Sequence, residues 1–101
     1  MGDAKKLQAE YFEALKLKYA AELAELTAEH VWHSTPEYLE MLRVEALIPN
    51  PVSKRQVAQC CFAVDTAHDI YEYALYKHAL EESSEARRIL KSLDSQIRTV
   101  G

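Results

Sequence analysis

Apolar residues return at steps of three and four along almost the whole chain, the spacing of helices rather than strands. Between Asp3 and about His33 no Gly or Pro interrupts a run rich in Ala, Leu, Glu and Lys, the strong helix formers. Asp3 is placed to cap its start. Such a helix, over about residues 4–33, would be about 45 Å long.

This first segment carries two apolar rows. Phe12, Leu15, Tyr19, Leu23, Leu26, His30 and His33 form one; Leu7, Ala14, Leu17, Ala21, Ala24, Ala28 and Val31 form the other. Covering one side of a domain needs a single apolar stripe. Two stripes predict a helix with neighbours on more than one side, and the Ala-rich row predicts a close approach by one of them.

Thr35-Pro36 marks the first break, because the residue before proline is pushed out of helical conformation. Thr35 as cap and Pro36 at the first helical position then start a short helix over 36–47. Ile48-Pro49-Asn50-Pro51 is a loop, since two prolines so close cannot sit within a helix. Ser53 and Gln56 form a capping box, with Val52 placed to staple onto Val57. The third helix is expected over 54–80. Val57, Cys60, Cys61, Val64, His68, Tyr71 and Leu75 lie on one face, and Phe62, Ile70, Tyr73 and Leu80 on another. A break near Ser83-Ser84 and a fourth helix over 85–98 follow, although the spacing from Leu75 to Val100 would also suit one continuous helix. No internal repeat is evident.

The pattern predicts an all-α protein: one domain of three or four helices, the long N-terminal helix antiparallel to the long third helix, completed by oligomerisation. A length of 101 residues with 49% hydrophobic and 28% charged residues suits one such domain.

Charge narrows the function classes. The net charge is −4, with only a weak basic stretch at Arg87, Arg88, Lys91 and Arg98. A nucleic-acid binder would concentrate its cations on one face. No apolar run reaches the length of a membrane span or of a signal-peptide core, so a cytoplasmic location is expected. Cys60 and Cys61 are adjacent, cannot staple a fold, and read as reduced, buried thiols.

The chemistry-bearing residues form no complete set. His30, His33, Asp65, His68 and Glu72 are the best candidates for a metal site on facing helices. The Glu-x-x-His pairs of a di-iron bundle are missing, so no metal or other cofactor is expected. The plainer alternative makes His30 and His68 interior groups. Burial would lower their pKa values, and stability would fall as pH dropped below about 6.5. Asp65, Asp69 and Glu72 lack the oriented partner that acid–base catalysis needs. The only glycines, Gly2 and Gly101, leave no phosphate-cradling loop. No catalytic residue is assigned, and no motif points to a family, a reaction or a named partner.

What remains is surplus apolar surface. The expected role is a non-enzymatic interaction module, an adaptor, assembly factor, inhibitor or small subunit, binding a protein partner or a second copy as a homodimer or higher oligomer. Ala14, Leu17, Ala21, Ala24, Ala28 and Val31 on the first helix would form one contact surface. Phe62, Tyr73, Tyr76 and Leu80 on the third would form the other, because tyrosine gives rigid contact area with a polar tip.

Overall fold

Strong helix formers, few β-branched runs and only two glycines give a chain that is nearly all helix. In a computed structural model, which describes residues 2–100, four helices follow one another: α1 Gly2–His33, α2 Pro36–Leu47, α3 Lys54–His68 and α4 Tyr71–Val100. No strand occurs among the described residues. The fold is all-α, with the long α1 packed mainly against α4 in antiparallel fashion.

The division of the second half differs from the expectation. The break falls at Asp69-Ile70, and α4 runs unbroken through Ser83 and Ser84. The helix antiparallel to α1 is therefore the fourth. It joins the end of the expected third helix to the whole of the expected fourth. Ser83 lies fully buried within α4, where its small side chain serves a packing seam rather than a cap.

The starts of α2 and α3 follow their sequence signals. Thr35 Oγ1 accepts from the Tyr38 N–H at 3.3 Å, and Ser53 Oγ accepts from the Gln56 N–H at 3.2 Å. The Gln56 side chain reaches back one residue further than a capping box requires, accepting from the Val52 N–H at 3.0 Å. Val52 itself is 89% exposed, so no staple onto Val57 forms. Asp3 lies inside the first turn of α1. There it favours the helix dipole rather than capping it.

The chain forms two compact units, and α1 and α4 contribute to both. The first comprises the chain up to Leu26 and from His78 onward. In it two helix lengths share one narrow seam. On α1 the covered positions include Leu7, Tyr11, Ala14, Lys18, Ala21 and Glu25, with Leu15 and Glu22 beside them; on α4 they include Ala79, Ser83, Ala86, Leu90, Leu93 and Ile97, with Leu80 and Asp94 beside them. Both rows alternate steps of four and three, the spacing that keeps a seam facing its partner. The Ala and Ser members let the backbones approach closely. Arg87 lies 3.8 Å from Glu22 and from Glu25 across this pair.

The second unit is Thr27–Lys77. Met41 and Val44 of α2 and Ala63 and Ala67 of α3 are buried there, together with Trp32 and Thr35.

Candidate functional site

The most densely organised place in the second unit is the surroundings of Trp32. Its ring meets Tyr38 edge-on at 4.7 Å, tilts against Tyr73 at 4.8 Å and stacks on Tyr76 at 5.4 Å. Its Nε1 donates to the Ala67 carbonyl at 2.9 Å. Two imidazoles complete the group. His33 stacks on Tyr38 and His68 on Tyr73, each pair with ring centroids 4.2 Å apart.

These two stacks arise from one short pattern used twice. His33-Ser34-Thr35-Pro36-Glu37-Tyr38 and His68-Asp69-Ile70-Tyr71-Glu72-Tyr73 share His, Glu and Tyr at the same positions. In each case His is the last residue of one helix and Tyr lies in the first turn of the next. A His at a helix C-terminus suits the dipole there, and the Tyr five residues later folds back onto it. The sequence does hold a local repeat, visible as His-x-x-x-Glu-Tyr once the corners are known.

This arrangement uses residues expected elsewhere. Tyr73 and Tyr76 are half-buried against Trp32, so a large part of each ring packs within the second unit. The five candidate metal ligands are dispersed in role. His33 faces Tyr38 and lies 3.8 Å from Glu29, His68 lies on Tyr73, His30 and Asp65 are exposed, and Glu72 is half-buried. Among the described residues no group of three or more His, Cys, Asp or Glu side chains converges. His30 and His68 are both exposed, which removes the burial behind the expected acid sensitivity. Cys61 is exposed as well, and Cys60 is half-buried with its Sγ 4.0 Å from the Ile48 carbonyl.

The remaining expected contact residues divide by helix face. On α1, Ala14 is buried and Ala21 and Ala28 are half-buried, whereas Leu17, Ala24 and Val31 point outward. The Ala-rich row is thus split between the α4 seam and solvent. Leu80 is half-buried on α4, and Phe62 on α3 is 74% exposed.

A second feature is the amount of apolar surface outside any interior. Among the described residues sixteen large apolar side chains are exposed and seven apolar residues are buried. On α1, Phe12, Leu17, Tyr19, Leu23 and Leu26 are each 60–66% exposed. Scattered single residues of this kind are ordinary on a folded protein, but Phe12, Tyr19, Leu23 and Leu26 follow one another at helical spacing on one side of α1.

Around Phe62 the second unit also has two open hollows. One, of about 370 Å³, lies between α2 and α3 and is lined by Pro36, Val44, Phe62, Ala63 and Thr66 with Glu37 and Glu40 beside them. The other, of about 420 Å³, is bordered by Phe62, Asp65, Thr66, His68 and Asp69. Glu40 is paired with Arg43 through both carboxylate oxygens, and that hydrogen bonding holds its carboxyl below the ordinary glutamate range. Glu37, Asp65 and Asp69 have no ion-pair partner among the described residues.

No family model, curated protein or solved structure matches the chain.

Proposed function

We propose that this chain is a non-enzymatic protein–protein interaction module that self-associates through the outer face of α1. The observation that carries this reading is the row Phe12, Leu15, Tyr19, Leu23 and Leu26, four of whose members are at least 60% exposed. Leu15 is half-buried, but a helix pair that buries one narrow seam has no interior left for the other four.

The spacing of the row favours a second copy as the cover. Leu15 and Leu23 stand four residues either side of Tyr19, and Phe12 and Leu26 stand seven either side. A row symmetric about its own midpoint is self-complementary when two copies run antiparallel about a two-fold axis, with Phe12 of one copy level with Leu26 of the other. Two-fold contacts of this isologous kind are the commonest in soluble oligomers. Covering these side chains on two copies removes on the order of 1,000 Å² from water, the lower end of what specific association needs.

The test is mass in solution by sedimentation equilibrium, on the natural chain and on a Phe12→Lys/Tyr19→Lys variant. The natural chain is expected as a multiple of 11.5 kDa and the variant as a folded single copy. Equal masses for the two would remove α1 as the interface.

A further inference from the structure

We infer that the groove between α2 and α3, centred on Phe62, receives a basic amphipathic helix from another protein. The inference rests on the reading of this chain as an interaction module, and it concerns the second unit alone.

Three observations support it. First, the groove has an apolar floor, with Val44 and Ala63 buried in it and Phe62 standing 74% exposed at its edge. Phe62 and Thr66 border both hollows, so Phe62 forms a ridge between two adjoining depressions. Successive apolar side chains on one face of a docked helix fill depressions of that kind.

Second, the charges around the groove have one sign. Glu37 lines the α2–α3 groove, and Asp65 and Asp69 border the adjoining hollow beside His68, none of the three acids with an ion-pair partner among the described residues. No Lys or Arg lines either hollow. Arg43, on the same helix as Glu37, is committed to Glu40. An apolar floor with an acidic rim complements a helix whose apolar face is flanked by Lys or Arg.

Third, the basic stretch of this chain is not the matching surface. Three of its four cations are engaged within the chain, Arg87 against Glu22 and Glu25, Arg88 with Glu85 and Arg98 with Asp94, which leaves Lys91 alone without an ion pair among the described residues. A second copy would have to give up those pairs to enter the groove, whereas an external helix brings unpaired cations.

The experiment uses the full chain and two fluorescein-labelled 18-residue helical peptides of identical pattern, one of Leu and Lys, the other of Leu and Glu, read by fluorescence anisotropy. The Leu/Lys peptide is expected to bind saturably, at least tenfold more tightly than the Leu/Glu peptide, and more weakly as salt rises. Phe62→Ser, at an exposed position, should weaken it at least tenfold. A combined Glu37→Gln/Asp65→Asn/Asp69→Asn variant should weaken it and flatten its salt dependence. Circular dichroism and Trp32 fluorescence verify that each variant is folded. Equal binding of the two peptides, or binding indifferent to both variants, overturns the inference. A fall in sedimentation mass for Phe62→Ser also overturns it, because the groove would then hold a second copy. The Phe12→Lys/Tyr19→Lys variant separates the two readings, since it should lose self-association and keep the Leu/Lys peptide.

Discussion

The indole Nε1 of Trp32 donates to the carbonyl of Ala67 at 2.9 Å, one residue before α3 ends. The last four carbonyls of a helix have no partner within it, and Ala67 is fully buried, so water cannot serve this one. Trp32, from the last turn of α1, supplies the missing donor. The chain can therefore turn at Asp69-Ile70 without glycine or proline. Thr66 adds to the bend by donating its hydroxyl to the Phe62 carbonyl at 2.7 Å, a back-bond that loosens helices.

Trp32→Phe keeps most of the ring packing and removes this donor. Leaving the buried carbonyl unsatisfied should cost about 1–3 kcal/mol, and Trp32→Ala about 3–5 kcal/mol through the added cavity. Urea unfolding followed by far-UV circular dichroism measures both. A Phe variant as stable as the natural protein would deny the bond its role.

Ser83 gives a contrasting case. It is fully buried in the α4 seam, and its hydroxyl has no hydrogen-bond partner among the described residues. Ser83→Ala removes an unpaired polar atom and is expected to leave stability unchanged or raised. Ser83→Leu overfills the seam and should cost about 1–3 kcal/mol. Thermal melts should place the Ser83→Ala midpoint at or above that of the natural chain and the Ser83→Leu midpoint below it, and a clear loss for Ser83→Ala would show that the hydroxyl has a partner.

The start of α3 separates a cap from a staple. Ser53→Ala should cost about 0.5–2 kcal/mol through the lost bond to the Gln56 N–H. Val52→Ala should stay within about 0.5 kcal/mol, because Val52 is outside any packing. Paired denaturation curves distinguish the two, and a larger loss from Val52→Ala would restore the staple.

Glu40 offers a pH readout. Hydrogen bonds from Arg43 hold its carboxyl below the ordinary range. The linked stability is present above the unfolded value and is lost as pH falls through the lowered folded one. Both side chains are exposed, so water screens the effect. A carbon-detected NMR titration should place the Glu40 midpoint below the ordinary glutamate range, and Arg43→Ala should return it there.

Helix content and the Thr35 and Ser53 starts were legible in the sequence because each rests on local rules, whereas the partner of α1, expected as the third helix, is α4. The position of the second break was not legible. Ser83-Ser84 has the polar composition of a cap, yet it lies on the same four-and-three row as Ala79 and Ala86 and packs into a seam. Asp69-Ile70 has no strong breaker, and its turn depends on Trp32, distant in sequence. The packing of Tyr73 and Tyr76 against Trp32 was hidden for the same reason: spacing along one helix shows which residues share a face, not what stands opposite. Phe62 was legible as surplus apolar surface. The acidic rim was half visible, since Asp65 shares α3 with Phe62 and Asp69 follows directly at its end, while Glu37 reaches the groove from α2.

Sedimentation equilibrium of the purified chain tests the central claim most directly, that α1 carries an apolar face this polypeptide cannot cover alone. A mass that is a multiple of 11.5 kDa and falls to one copy in the Phe12→Lys/Tyr19→Lys variant is the predicted result. A natural chain that stays a single copy at every concentration, with the variant unchanged beside it, would contradict the account.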